Sequence, residues 1–264
     1  MQTPPRKALA DSLLVLLLSV LLYTPGIGAR DFWEADEPRY PEVARQMIVE
    51  GRWLIPYLNG DIYMEKPPIY FWAMRIPYAI QGDLTEVGAR SVIVGFAAVA
   101  LAATYLLGAL MVGRTAGWVA ALATATTFEV SEFSQTAVMD VPMLAFITPA
   151  LLAYALWTRF DWRPRTMQAA AYACMGLGVL TKGPLAVLLP GLLMATDGLL
   201  RHGKAAFRAK HLRWGPLVTL GTLMLWLGPA TLLEGKQFFS FMVEHHIVNR
   251  ATSARAPHAR PFYS

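Results

Sequence analysis

Long apolar runs alternate with short polar connections along most of this chain. A membrane-spanning helix needs about 20 mostly apolar residues, and most of these runs come close to that length. The pattern predicts an all-α integral membrane protein with about seven transmembrane helices. The runs cover residues 9–27, 91–112, 116–130, 141–157, 167–180, 185–200 and 214–232.

The stretch between the first two runs, residues 29–90, is polar, aromatic and charged. Within it, residues 38–50 show the i, i+3, i+4 spacing of an amphipathic helix, with Asp36 as a candidate cap and Gly51 at its end. This helix is too short and polar to span, so we expect it to lie in the membrane interface. Residues 69–80 are apolar but few, which favours an interfacial or re-entrant segment. The apolar face of the first helix consists of Tyr40, Val43, Ala44, Met47 and Ile48.

Composition supports a membrane protein and argues against a nucleic-acid partner. Of the 264 residues, 55% are hydrophobic and 16% charged, and the mean hydropathy is +0.40. Soluble domains carry closer to a quarter charged residues. The formal charge of +5 comes from bases between apolar runs, where cytoplasmic loops concentrate them. The single cysteine, Cys174, cannot form an internal disulfide, and the first apolar run is interpreted as a retained membrane helix because no clear cleavage site follows it.

The distribution of bases fixes a topology. With seven spans and the N-terminus inside, the basic clusters fall on the cytoplasmic side, and the short outer connections at 131–140 and 181–184 hold only Lys182. If residues 69–80 also spanned, the basic run of residues 201–213 would lie outside. The prediction therefore places the candidate chemistry on one outer face: Asp36, Glu65, Lys66, Asp140, Lys182, Glu244, His245 and His246.

Two groups of charged residues stand out in residues 29–90. Asp36 is followed by Glu37 and Arg39, and Glu65 is followed by Lys66 and two prolines. A carboxylate at a helix N-terminus is often only a cap, and a Glu–Lys pair can simply be a neutral ion pair. The functional interpretation is that the acids bind a cation, orient an acceptor or take a proton, while Lys66 offers positive charge to a phosphate.

Three further candidates lie on later outer connections. Asp140, in VMDVP, is either a solvated or capping acid or part of a site. Lys182, in TKGP, either snorkels to the interface or meets a phosphate oxygen at a tight turn. Glu244 and the histidines after it are either incidental or, with Glu65, ligands of a divalent metal cation.

The segments DEPRYPEVARQM, GRWLIPYLNGDIYMEKPPIYFW, MDVP, TKGP and EHHIVNR occur in that order. Together they resemble the GT-C membrane glycosyltransferases of the protein O-mannosyltransferase superfamily. The resemblance is to the bacterial branch that includes the lipid A 4-amino-4-deoxy-L-arabinose transferase. It covers nearly the whole chain, and EKPP and TKGP are its most specific parts. It implies a conserved block of membrane helices, interfacial helices in the first outer loop, and a polyprenyl-phosphate sugar donor used on the periplasmic side.

The resemblance also implies roles for individual residues. Asp36 matches the family's first-loop catalytic or acceptor-orienting acid, and Asp140 and Glu65 match further acids of the catalytic site. The donor phosphate is expected to meet Lys66, Lys182 and Arg39. A metal is expected beside Glu65 and His245, with His246 as the alternative.

We therefore expect residues 1–264 to form one GT-C membrane domain in the bacterial inner membrane, with its active face periplasmic. Residues 29–90 form the first periplasmic loop, and residues 233–264 begin a later one. Family members usually continue for several more spans and a soluble portion, so the chain is interpreted as a truncated N-terminal half.

The expected function is transfer of a sugar from undecaprenyl phosphate to a periplasmic acceptor such as lipid A, another envelope glycan or a protein. One alternative is a non-enzymatic membrane protein that binds lipid phosphates or resembles a transporter. The other is an inactive truncated paralogue.

Overall fold

Helices make up almost all the regular structure of the part described. The structure is a computed structural model that describes residues 6–33, 36–63, 65–204 and 211–234. In these residues the helices are α1 (Arg6–Tyr23), α2 (Asp36–Val49), α3 (Ile69–Ala73), α4 (Arg75–Gln81), α5 (Glu86–Met111), α6 (Arg114–Thr126), α7 (Phe128–Phe133), α8 (Asp140–Phe160), α9 (Pro164–Val179), α10 (Leu185–His202) and α11 (His211–Glu234). Two antiparallel strands of two residues each, β1 (Tyr57–Leu58) and β2 (Asp61–Ile62), are the other elements.

Helix α5 is the centre of the packing, because it contacts α1, α6 and α8, and α8 in turn contacts α9 and α10. The buried face of α5 consists mostly of small and medium side chains such as Ala97 and Ile93. It joins the core that also holds Tyr23 of α1 and Tyr40 of α2. Small residues at helix crossings let helix backbones approach closely, which is how membrane helices associate. The long central helix thus connects the bundle to the first loop.

Four of the described helices are long and apolar enough to cross a membrane: Glu86–Met111, Asp140–Phe160, Leu185–His202 and Trp214–Leu233. Helix α1 has 18 residues and begins with charged ones, whereas α6 and α9 have 13 and 16 residues. At 1.5 Å per residue, α6 reaches only about 20 Å, which is shorter than a bilayer core of roughly 30 Å. Each predicted run holds a helix; that seven of them span stays a prediction.

Large leucines cover the outside of the bundle. Leu17 and Leu21 of α1 are 60% and 68% exposed, and Leu188 and Leu192 of α10 are 62% and 67% exposed. An apolar surface of this kind is unstable in water but suits contact with lipid tails. The protein is therefore a multi-pass membrane protein.

The first loop folds into several short elements. Helix α2 buries four of the five predicted apolar residues, and Ile48 is only partly buried. Strands β1 and β2 are joined by Asn59 and Gly60, both at positive φ, as a type I′ hairpin turn requires. Residues 69–80 form α3 and α4 rather than a span, as predicted, since neither helix is long enough to cross a bilayer. That these helices lie in the membrane interface stays a prediction.

The Cα positions divide the chain into two compact units, residues 1–223 and 224–264. All contacts described below lie within the first unit.

Candidate active site

The first turn of α2 carries a charged cluster. Arg39 Nη1 lies 3.0 Å from Asp36 Oδ1 and 3.7 Å from Glu65 Oε2, so it connects the two predicted acids. The Tyr40 hydroxyl donates to Asp36 Oδ2 at 3.0 Å, and the Tyr63 hydroxyl donates to Glu65 Oε2 at 3.2 Å. Arg39 and Tyr40 reach Asp36 because residues three and four apart share one face of a helix. Arg39 thus joins the two charged groups of the first loop, which the sequence showed as separate motifs.

The cluster has a buried floor and an open side. Tyr40 and Tyr63 are 3% and 7% exposed and pack on the aromatic rings of α3, Tyr40 against Tyr70 and Tyr63 against Phe71. Burial raises the pKa of both hydroxyls, and the nearby carboxylates raise it further, so both are neutral donors. The side chains of Asp36 and Glu65 are 47% and 53% exposed. The carboxylates can therefore contact a ligand on their exposed side while hydrogen bonds from the buried tyrosines hold them in place.

A second charged pair joins two of the later connections. Lys182 Nζ and Asp140 Oδ1 form an ion pair, with the two side chains 28% and 46% exposed. Asp140 is the first residue of α8, where a carboxylate also interacts favourably with the helix dipole. Lys182 lies in the turn before α10, and its neighbour Gly183 has φ +136, a conformation that strains any other residue. The tight turn presents Lys182 to Asp140.

A backbone hydrogen bond joins the segments that carry the two charged groups. The Ile69 amide donates to the Leu180 carbonyl oxygen at 3.2 Å. Lys66 lies three residues before the first of these residues, and Lys182 lies two residues after the second. The intervening Pro67 and Pro68 are buried. The two predicted phosphate-binding lysines therefore stand on segments that contact each other directly, and Lys66 itself is half-buried.

Of the predicted metal ligands, only Glu65 lies in the described part of the chain. Glu244, His245 and His246 lie outside the described residues. Within the described ranges no group of three or more metal-ligating side chains is present. Glu65, the one described member, has Arg39 and the Tyr63 hydroxyl as neighbours, which are a cation and a hydrogen-bond donor rather than metal ligands. These neighbours do not fit a metal, and the metal stays a prediction.

Sequence reasoning missed a buried ion pair directly beneath this region. Glu37 and Arg90 are both fully buried, and Arg90 Nε donates to Glu37 Oε1 at 2.8 Å. Burial alone would raise the pKa of Glu37, but hydrogen bonds from Arg90, from the amides of Trp33 and Ala137, and from Arg30 lower it to about 2. Two adjacent carboxylates were more than a helix cap needs, which was the available signal; nothing in the sequence pointed to Arg90.

Comparison with known proteins adds to this geometry. The family described as dolichyl-phosphate-mannose-protein mannosyltransferase matches residues 10–233. This match covers most of the chain. The chain belongs to this family. The matched range contains every described candidate residue and ends before the predicted metal histidines.

Two relatives of this chain are named undecaprenyl phosphate-alpha-4-amino-4-deoxy-L-arabinose arabinosyl transferase. The protein from Shewanella sediminis is 29% identical over 267 residues, covering 95% of this chain and 46% of the relative. The protein from Yersinia enterocolitica is 28% identical over 258 residues, covering 95% of this chain and 45% of the relative. The chain thus spans a little less than half the length of these relatives.

Solved structures confirm the fold. ArnT from Cupriavidus metallidurans, in a crystal structure bound to undecaprenyl phosphate, superimposes with a TM-score of 0.80 at 23% identity, covering 90% of this chain and 44% of that one. The same protein in the apo state gives a TM-score of 0.77 at 24% identity, covering 90% and 45%. The predicted GT-C type of helical membrane fold is therefore confirmed.

Proposed function

We propose that the protein carrying this chain is a membrane glycosyltransferase of the bacterial inner membrane. It transfers a sugar from undecaprenyl phosphate, or another polyprenyl phosphate, to an acceptor on the periplasmic side. Lipid A is the acceptor that the resemblance favours. The observation that carries the proposal is the contact between the segments of Lys66 and Lys182, close to an acid on a helix N-terminus, in a member of this family.

The basic residues suit the leaving group. When the acceptor oxygen bonds to the anomeric carbon, the bond from that carbon to the phosphate oxygen breaks, and its electron pair stays on the phosphate. Lys66, Lys182 and Arg39 would stabilise this charge, which is the largest electrostatic change of the reaction. Lys182 already contacts Asp140. An ammonium has three donors, so it can keep Asp140 and still donate to a phosphate oxygen.

The acids suit the acceptor. Asp36 is about half exposed and is held by Arg39 and Tyr40 through one oxygen each. If the acceptor is a hydroxyl, its proton passes to the Asp36 carboxylate as the oxygen attacks. If the acceptor is a phosphate of lipid A, which is already anionic, no base is needed and Asp36 orients the acceptor. Attack opposite the leaving phosphate would invert the anomeric carbon.

Lysine substitutions in the whole protein test this assignment. Sugar transfer from a polyprenyl-phosphate donor is measured in lipid nanodiscs for wild type, Lys66→Ala, Lys182→Ala and the double variant. Each lost charge-assisted hydrogen bond is expected to lower kcat/KM for the donor by roughly 10- to 100-fold. Lys204→Ala is the matched control, because Lys204 is an exposed lysine just after α10 and is not a candidate residue.

The outcomes separate the candidate functions. Wild-type transfer with a large loss in the double variant supports a transferase that holds the donor phosphate with these lysines. Turnover unchanged in the double variant would refute the phosphate-binding role. Donor binding by the wild type without any sugar release would instead favour the non-enzymatic lipid-phosphate binder.

A further inference from the structure

The carboxylate of Glu37 lies at the meeting point of several chain segments. It accepts hydrogen bonds from Arg30 Nη1 at 2.8 Å, from Arg90 Nε at 2.8 Å, from the Trp33 amide at 3.0 Å and from the Ala137 amide at 3.1 Å. A carboxylate has about four lone-pair positions, and four donors occupy them. Such a carboxylate has little freedom to move.

Arg90, at the start of α5, completes the arrangement from the other side. Its Nη1 donates to the carbonyl oxygens of Ile27 and Arg30 at 2.5 Å and 2.8 Å, and its Nη2 donates to the carbonyl oxygen of Asp31 at 3.1 Å. These carbonyls belong to the segment that leaves α1 and leads into α2. The guanidinium therefore fixes that segment against α5 at several points.

The pair connects the two acids of the candidate active site. Glu37 directly follows Asp36 on α2, and Ala137 stands three residues before Asp140. A second contact supports the same junction, since Arg30 Nη2 donates to the Thr136 hydroxyl at 3.2 Å. Asp36 and Asp140 lie on segments that share Glu37 as their common contact.

We propose that Glu37 and Arg90 are positioning residues that fix Asp36 relative to Asp140. A buried ion pair is weak evidence for a role in stability, because desolvation offsets much of its attraction. Alignment of a reacting group is far more sensitive, and a displacement of about 1 Å can lower a rate roughly 100-fold. The inference rests on the proposed function, because it assigns the pair a role in that reaction.

Two substitutions of different severity test it in the whole protein. Glu37→Gln keeps the side-chain size but turns an amide group toward donors that need an acceptor. Arg30→Gln is milder, because the Arg30 side chain is 43% exposed. Glu42→Gln is the matched control on the same helix: Glu42 also pairs with an arginine, Arg45, but the two side chains are 35% and 41% exposed.

We expect Glu37→Gln to lower kcat roughly 100-fold and Arg30→Gln roughly 10-fold, with the donor KM within about threefold of wild type. The donor KM is retained because the segments of Lys66 and Lys182 contact each other through Ile69 and Leu180, without Glu37. Glu42→Gln should stay within about twofold of wild type in both constants.

The measurement must separate positioning from simple loss of folded protein. Expressing kcat per bound donor molecule removes the unfolded fraction, so a purely structural role would leave this kcat unchanged. In parallel, hydrogen exchange at the Trp33 or the Ala137 amide should become faster in Glu37→Gln and not in Glu42→Gln. Each of these amides donates to a different carboxylate oxygen, and the amide nitrogen that replaces one of the two oxygens cannot accept a hydrogen bond.

Two results would overturn the inference or its basis. If both Glu37→Gln and Arg30→Gln keep the wild-type kcat per bound donor, the positioning role of Glu37 and Arg90 is refuted, while the proposed function is not affected. If Glu37→Gln does not accumulate, Arg30→Gln alone decides in the same way. Absence of transfer by the wild-type whole protein refutes the proposed function itself.

Discussion

The crossing of α5 and α6 offers a sharp test of the fold, because two glycines meet there without space for a side chain. A Cβ atom at Gly117 would lie 2.7 Å from the Tyr105 carbonyl oxygen and 2.8 Å from the Ala109 Cβ. A Cβ at Gly108 would lie 3.0 Å from the Gly117 Cα. These neighbours are mostly backbone and cannot turn aside, so Gly117→Ala requires the helices to separate.

The loss of stability expected for Gly117→Ala is worked out by comparison with Gly95→Ala. Gly95, also within α5, has nothing within 4 Å of its would-be Cβ. Both substitutions replace a helical glycine by alanine, so the gain in helix propensity, about 1 kcal/mol in water, is common to both. What differs is the overpacking at Gly117, where the close contact has to open by roughly 0.7 Å. Overpacking of this kind costs about 1–3 kcal/mol.

The assay compares the two alanine variants of the whole protein in one detergent and one lipid. Unfolding free energies from titration with a denaturing detergent should place Gly117→Ala below Gly95→Ala by about 1–3 kcal/mol. Thermal unfolding should show a difference of roughly 2–10 °C in the same direction. Equal stability of the two variants, within about 0.5 kcal/mol, would refute the close crossing of α5 and α6.

Three further predictions concern the first loop and its orientation. Above pH 4.5 the carboxylate of Glu37 contributes fully to stability. The contribution is lost as the pH falls toward the folded-state pKa of about 2, because the unfolded chain, in which Glu37 has its ordinary pKa, is protonated first. The loss is at most about 3 kcal/mol, and the unfolding free energy of Glu37→Gln should lack this part of the acid dependence. Tyr40→Phe removes the hydrogen bond to Asp36 and should lower kcat about 3- to 10-fold with little change in unfolding temperature. Single cysteines at the exposed positions Asp61 and Lys204, in a cysteine-free background, should react with impermeant thiol reagents from opposite sides of the membrane; labelling from the same side contradicts the proposed topology.

The helical framework was predictable because a bilayer allows very few backbone conformations. A backbone in a bilayer must satisfy its hydrogen bonds internally, so long apolar runs become helices. The amphipathic spacing of α2 was equally readable, since the same residues that predicted its apolar face are the ones it buries, apart from Ile48. The exact span of α6 was not predictable, because the apolar run of residues 116–130 gives no sign of the break at Thr127, where ψ turns to 132°.

Part of the candidate site could also be predicted from the sequence. A motif shows which residues are neighbours along the chain, but it does not show which distant segments come into contact. Pairing of Arg39 with Asp36 follows from their spacing on a helix, which sequence shows. The ion pair of Lys182 with Asp140 joins positions 42 residues apart, so only the fold shows it. Glu37 and Arg90 are 53 residues apart, and Arg90 stands just before an apolar run, where a base would ordinarily be solvated.

The two neighbouring acids of α2 show how one motif can serve two purposes. Successive residues on a helix point about 100° apart, so Asp36 and Glu37 cannot both face the same surroundings. Asp36 faces the open side of the charged cluster, whereas Glu37 faces inward and meets Arg90. Loop segments outside the bilayer lack the restraint that lipid gives to the spans. A buried carboxylate that accepts four hydrogen bonds supplies that restraint next to Asp36, the acid proposed to meet the acceptor, so the positioning test on Glu37 addresses the reaction as well as the fold.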